Sequence, residues 1–149
     1  AERGQIAFSK AQCAKCHKLG DIGESMGPDL TTLSRRFTKK EVLEAVIYPS
    51  HIISSQYASK TIRTTDGRTL SGIVAAGAAG ETVVLQSTGE KATVKTADIE
   101  ETKPSNVSSM PAGLLDTLTL DEIGDLFSYL QGTPKPSNLT RKPGAAGVK

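Results

Sequence analysis

Two cysteines and a histidine stand within five residues near the start of the chain, in the sequence Cys-Ala-Lys-Cys-His. Cys13 and Cys16 are the only cysteines among the 149 residues, and His17 is one of two histidines. Side chains three residues apart on a helical turn face the same side, and the histidine follows directly. The pattern is typical of c-type haem attachment, in which two thiols bond to one porphyrin and the imidazole binds its iron.

Three other interpretations of these residues stay open. A structural zinc site needs four protein ligands, and the chain adds only His51, with no second pair of cysteines. A thioredoxin-like dithiol needs a preceding strand, whereas the sequence predicts a helix before Cys13. A plain disulfide between Cys13 and Cys16 leaves His17 without a role. The haem interpretation uses all three side chains, and we therefore expect one covalent haem c, with His17 as an iron ligand.

Helical periodicity and capping patterns predict four helices. The first covers 3–17 and the second covers 30–37. The third follows a capping box of Thr38 and Glu41 and ends at a proline. The fourth follows a second capping box, Thr119 with Glu122, and continues with apolar residues at i, i+3, i+4 and i+7 spacing. These patterns predict helices at both ends of the chain.

Between the third and fourth helices, β-branched residues alternate with polar ones. Asp66-Gly67 suits a two-residue type I′ turn between strands, and a second turn is expected around Gly89. We therefore expect residues 57–99 to form two hairpins of one small antiparallel sheet. Such an insertion is either a docking surface for a partner or a cover for the edge of the haem.

The expected fold class is mainly α, a helical domain over residues 1–131 around one haem, with the β insertion inside it. Residues 132–149 are rich in proline, glycine and basic side chains, which predicts a flexible tail or linker. The chain begins at Ala1 without a signal peptide, which we interpret as a mature, processed or trimmed protein. No apolar run approaches the length of a membrane span.

The charge pattern argues against a nucleic-acid binder. The formal net charge is +2, and acidic and basic residues are spread along the sequence. An electrostatic nucleic-acid site needs a clustered basic surface. We therefore expect no nucleic-acid partner.

Three short motifs resemble the class I cytochrome c family. They are CAKCH at 13–17, GPDL at 27–30, and MPAGL at 110–114, which leads into the last predicted helix. Gly4 and Phe8 in the first helix, with Leu126 and Tyr129 in the last, resemble the crossing helix pair of that family. The resemblance implies a helical fold around covalent haem and a one-electron carrier rather than an enzyme. It also implies that the Pro28 carbonyl accepts a hydrogen bond from the second nitrogen of the ligand histidine, which would orient its ring.

The sixth ligand of the iron decides between electron transfer and other functions. Met110, Met26, His51, water or an open position could fill this place. Met110 precedes Pro111, and a residue before proline is held extended, which suits a strap laid across one haem face. We therefore expect Met110 to bind the iron, and His/Met ligation would raise the potential and favour electron transfer. An open position would favour a gas sensor, another ligand-binding domain or a peroxidase-like enzyme.

The side chain of Met26 has a different expected position. The resemblance places Pro28 beside the ligand histidine, so Met26 would lie on the wrong side of the haem. If Met26 is not a ligand, it is a loop residue that contacts the haem edge or solvent.

His51 would bind iron more strongly than a methionine by its chemistry. If His51 is not a ligand, it lies at the surface or at the haem edge.

Four further side chains are weaker candidates for contacts with the haem propionates. Arg35 and Arg36 suit a carboxylate by charge and geometry, and their alternative is the solvated face of a helix. Tyr48 and Tyr57 either donate hydrogen bonds to a propionate or pack with their hydroxyls outward. We name Arg35 and Tyr57 as the expected haem contacts.

A narrower resemblance includes the middle of the chain. The segments YPSHIISSQY, TTDGRTLSGIV, ADIEE and SSMPAGL are similar to a haem-binding domain of large planctomycete and verrucomicrobial dehydrogenase-like proteins. That domain carries a β insertion before its methionine segment, and His51 departs from its pattern. The resemblance implies a domain of a larger protein. The redox protein partners of a one-electron carrier are expected to bind it transiently, through a small contact. The resemblance also implies a periplasmic or otherwise extracytoplasmic location in bacteria, where haem c is attached.

Overall fold

The computed structural model describes residues 1–132, which form four α-helices, five β-strands and several short 3₁₀ turns. The predicted tail lies outside the described residues, apart from Gly132. The helices are α1 Glu2–Lys10, α2 Leu33–Arg36, α3 Lys39–Ile47 and α4 Leu120–Gln131. The strands are β1 Ser59–Thr64, β2 Thr69–Ala76, β3 Glu81–Leu85, β4 Lys91–Lys95 and β5 Ile99–Pro104.

Helices α1 and α4 come from opposite ends of the described chain and pack directly against each other. A Cβ added to Gly4 would lie 2.5 Å from the carbonyl oxygen of Asp125, and closer still to the Cβ of Tyr129. The ring of Phe8 is fully buried and meets the Tyr129 ring edge-on, with 5.8 Å between the centroids. These contacts are the helix crossing that the family resemblance implies, and a glycine permits it because no side chain separates the two backbones.

The helical part of the molecule has its own hydrophobic core. Cys13 and Ala14 of the motif pack against this core from one side. The buried members of the core are Ala7, Phe8, Leu19, Val42, Leu126 and Leu130. The crossing of α1 and α4 therefore supports the turn that carries the two thiols.

The two capping boxes are confirmed, whereas the first helix is shorter than predicted. Thr38 and Thr119 each accept a hydrogen bond from the backbone of the glutamate three residues on, and that glutamate caps in return. Helix α1 ends at Lys10, because Gln12 adopts a left-handed conformation with φ of 62°. A separate 3₁₀ turn, Cys13–Lys15, then carries the motif. The prediction of one helix over 3–17 is wrong at its C-terminal end.

The five strands form one antiparallel sheet in the order β4-β3-β2-β1-β5. Both predicted hairpins are present, β1 with β2 and β3 with β4. The first turn is not type I′, because of its two central residues only Gly67 has a positive φ, of 85°. The Gly67 amide donates to the Thr64 carbonyl, which is a type I turn followed by a left-handed glycine.

The fifth strand extends the sheet beyond the predicted limit at residue 99. β5 pairs antiparallel with β1, so that Lys60 lies opposite Pro104. Its sequence, Ile-Glu-Glu-Thr-Lys-Pro, has no apolar alternation, because most of its side chains are exposed at the edge of the sheet. Of residues 1–132, 36% are in α- or 3₁₀-helices, and the expectation of a mainly α domain is not confirmed.

The sheet contributes three further buried apolar side chains. Ile62 and Val84 are fully buried and Val94 is nearly so. Within residues 1–132, the hydrophobic cluster of the helices contains none of these three side chains. The sheet therefore buries apolar residues outside the core of the helices.

Candidate functional site

The motif forms a compact turn rather than the end of a helix. The backbone amides of Cys16 and His17 both donate to the Cys13 carbonyl, at 3.2 and 2.9 Å. Both cysteines carry free thiols and are half-buried. The turn therefore brings two thiols and one imidazole to the same short stretch of backbone.

The His17 ring is held by one hydrogen bond of defined direction. Its Nδ1 lies 2.8 Å from the carbonyl oxygen of Pro28. A carbonyl can only accept, so Nδ1 carries the proton and donates it, and Nε2 keeps a free lone pair. Burial lowers the pKa of His17, and the hydrogen bond to Pro28 opposes that shift only in part. The ring is therefore neutral at neutral pH and presents Nε2 as a ligand atom.

The loop after the motif wraps closely around this histidine. The Gly27 amide donates to the Cys16 carbonyl at 2.7 Å. A Cβ on Gly27 would lie 3.0 Å from Cε1 of His17 and 3.2 Å from Nδ1, so the loop approaches the ring at a distance that a side chain would disturb. Met26 is half-buried on the same loop.

The thiols are not set up for dithiol chemistry. Burial raises the pKa of the Cys13 thiol to about 11. Burial also raises the pKa of Cys16, with Lys15 opposing the shift. Reactive cysteines show the opposite, a lowered pKa that exposes the thiolate. Both groups are therefore protonated at neutral pH, which does not suit the thioredoxin-like alternative.

The zinc alternative has no counterpart in the described part of the chain. Residues 1–132 hold no group of three or more His, Cys, Asp or Glu side chains placed to bind a metal ion. Cys13, Cys16 and His17 instead suit haem c, since two neighbouring free thiols can form thioethers while a neutral imidazole offers Nε2 to iron.

Met110 lies on the segment 105–113, which we call the Met110 strap, between β5 and the 3₁₀ turn Leu114–Thr117. Its side chain is half-buried, and its backbone amide donates to the Ser108 hydroxyl at 3.1 Å. Two further serine hydrogen bonds attach the strap to the rest of the molecule. Sequence reasoning missed these serines, because their partners are 50 or more residues away along the chain.

The remaining predicted site residues are not brought to the motif by hydrogen bonds or ion pairs. Within residues 1–132, no such contact joins Met110, His51, Arg35 or Tyr57 to the motif turn. Arg35 is exposed and borders an open cavity of about 410 Å³ between α2 and the start of α3. His51 is exposed and Tyr57 is half-buried.

The tip of the β3–β4 hairpin reaches the motif turn. A Cβ added to Gly89 would lie 3.3 Å from the Cβ of Lys15, which stands between the two cysteines of the motif, directly before Cys16. The sheet is therefore not remote from the candidate site, and its tip flanks the surface beside the cysteines.

The comparisons agree with this geometry in the N-terminal part of the chain. The model of the family described as cytochrome c matches residues 1–69, which include α1, the motif turn and the loop that holds His17. A comparison with curated proteins finds no match. Within residues 1–132, no helix is both long and apolar enough to span a membrane. The N-terminal part of this chain is therefore similar to a cytochrome c domain, a kind of domain that carries covalent haem c and transfers electrons, and the described residues also contain a five-stranded antiparallel sheet.

Proposed function

We propose that this protein is a mono-haem c-type cytochrome that transfers single electrons with His/Met-ligated iron. The observation that carries the proposal is the His17–Pro28 hydrogen bond, which leaves Nε2 free beside two free thiols. Haem c, when bound, supplies an iron that accepts and releases one electron. His17 and Met110 would be the iron ligands, and Cys13 and Cys16 the covalent anchors.

The proximal residues would hold the ligand bond in one geometry. The Pro28 carbonyl keeps the proton on Nδ1 and fixes the plane of the ring, which makes Nε2 a better donor. The close approach of Gly27 limits rotation of the ring. Pro28 and Gly27 would therefore keep the His17 ring in the same orientation in the oxidised and the reduced protein.

Met110 would supply the other protein ligand to the iron. The support is the half-buried side chain of Met110 on the strap, before a proline that disfavours helical geometry at Met110. A thioether is neutral and soft, so it favours the reduced iron and raises the potential. Arg35 and Tyr57 are our proposals for contacts with the haem propionates, on the grounds that guanidinium and phenol groups donate to carboxylates.

The proposed partners are redox proteins that bind transiently at the exposed haem edge on the Cys13 side. Lys15 and the β3–β4 turn flank this surface. A small contact suits an electron carrier, since the partner must leave after each transfer. We further propose a periplasmic or otherwise extracytoplasmic location in bacteria, and a role as a domain of a larger dehydrogenase-like protein of the planctomycete and verrucomicrobial type.

The decisive experiment is the absorption spectrum of the oxidised holoprotein and its Met110→Ala variant. We expect a weak red charge-transfer band from an iron–sulfur bond in the wild type and its loss in the variant. Met26→Ala is the matched control, because it removes the chain's other methionine and should leave the band unchanged.

Four results would contradict this proposal. A band that is absent, or that survives in Met110→Ala, would remove Met110 as the ligand, and loss in Met26→Ala would assign the bond to the proximal loop. Rapid binding of carbon monoxide to the reduced wild type at neutral pH, without the band, would favour the gas-sensor alternative.

A further inference from the structure

We propose that four serines hold the Met110 strap against the start of β1 and against the segment after α3, and so keep Met110, the proposed sixth ligand of the iron, in place. We call Ser50, Ser59, Ser108 and Ser109 the serine clamp. This inference rests on the proposed function, because it assigns these serines a positioning role for Met110.

The first attachment joins the strap to β1. Ser59 is the first residue of β1 and is only 4% exposed. Its hydroxyl lies 2.7 Å from the hydroxyl of Ser109, the residue before Met110. Its backbone carbonyl accepts from the Ser105 amide at 2.9 Å, where the strap begins. One buried residue therefore holds the strap at two points.

The second attachment joins the strap to the segment that follows α3. The Ser108 amide donates to the Ser50 hydroxyl at 3.0 Å, and the Ser108 hydroxyl accepts from the Met110 amide at 3.1 Å. Pro111 follows, and its ring fixes its own φ and disfavours helical geometry at Met110. The backbone on both sides of Met110 is thus restricted.

This restriction matters because a methionine sulfur competes with other ligands for iron. The apparent affinity of an external ligand depends on the fraction of molecules in which the strap has moved away. Hydrogen bonds to the strap lower that fraction, since each is lost when the strap leaves. The clamp would therefore suppress external ligand binding without touching the iron.

The test is an imidazole titration of the oxidised holoprotein and of Ser59→Ala, Ser109→Ala and the double variant. We expect each single variant to bind imidazole about 2- to 10-fold more tightly than the wild type, the range for one net hydrogen bond. The double variant should resemble the single variants, because both substitutions remove the same bond. Faster hydrogen exchange of the Met110 amide should accompany the change.

Ser71→Ala is the matched control. Its hydroxyl lies 3.0 Å from that of Thr61 on the same strand pair, so it removes a similar bond that does not reach the strap. Imidazole affinities in the clamp variants equal to those of the wild type and Ser71→Ala would overturn the inference. If Ser59→Ala fails to fold, Ser109→Ala alone decides, since Ser109 is not in a strand.

The failure of this inference is distinguishable from failure of the proposed function. A wild type that shows the iron–sulfur band, with clamp variants that bind imidazole no more tightly, removes only the clamp. A wild type without the band removes Met110 as ligand and the clamp with it.

Discussion

At the scale of single residues, a glycine at the helix crossing and a glycine away from it differ in the space around them. Gly4 lies where α1 meets α4, and an added Cβ would collide with backbone and side-chain atoms of α4. Gly124 lies within α4, and an added Cβ there meets no heavy atom within 4 Å. The same methyl group should therefore act in opposite directions at the two positions.

We expect Gly4→Ala to lower the free energy of unfolding by about 1–3 kcal/mol, as overpacking of a close contact does. Gly124→Ala should raise it by roughly 0.5–1 kcal/mol, because alanine is the better helix former and the space is open. Urea denaturation of the two variants beside the wild type measures both effects. Equal effects of the same sign would show that α1 and α4 do not approach each other as closely as the structure has them.

At the scale of elements, the local signals were predictable and the distant ones were not. Both capping boxes follow from residues three apart, so the sequence predicts where α3 and α4 begin. The CxxCH motif is equally local. The sequence does not predict strand β5, because its residues are mostly polar and its partner β1 lies about 40 residues earlier. The sequence does not predict the hydrogen bonds of the serine clamp either, since Ser59 and Ser109 are 50 residues apart.

The start of α4 carries a second contact that sequence analysis does not reveal. Lys10 at the end of α1 lies 2.7 Å from the Glu122 carboxylate of the second capping box. The hydrogen bond from Lys10, followed by that from the Thr119 backbone, lowers the pKa of Glu122 from its ordinary 4.5. A carboxylate with a lowered pKa stabilises the fold above pH 4.5, and this contribution is lost as the pH falls through the lowered pKa.

We expect Glu122→Gln to lower the melting temperature at pH 7 and to lower it less at pH 3, where the wild-type carboxylate is closer to being protonated. Glutamine can still accept from the Thr119 amide, so the variant isolates the charge from the cap. Thermal unfolding at the two pH values measures the difference. Glu44→Gln is the control, because its contact with Lys40 is longer, at 3.8 Å, and should change stability less. A Glu122→Gln effect that is equal at both pH values would rule out the charge as its cause.

At the scale of the whole molecule, the described residues bury apolar side chains in two places. One is the hydrophobic core among the helices, which supports the motif, and the other is the sheet, with Ile62, Val84 and Val94. The sequence predicts a helical domain with an insertion but not which side chains of the sheet are buried, because burial depends on tertiary packing. Joining segments such as the Met110 strap carry the contacts between the two parts.

We expect Ile62→Ala to destabilise the sheet by about 2–5 kcal/mol, the usual cost of such a cavity. Amide protection in the strands should fall more than protection in α1 and α4, because the helical core keeps its contacts. Leu126→Ala, in the core of the helices, is the matched control and should reverse the pattern. Hydrogen exchange of the native protein measures both, and a uniform loss of protection in each variant would mean that the sheet and the helices unfold as one.

The pairing of Lys60 with Pro104 also has a consequence for the order of folding. As a coil, residues 48–119 would separate α3 from α4, and closing so long a loop is entropically costly. The hairpins of the sheet join neighbouring strands and can form early. Once β1 and β5 pair, residues 60–104 no longer act as free chain, and only the flanking segments must close. The sheet would thus shorten the path by which the Met110 strap returns to the helices before any haem contact exists.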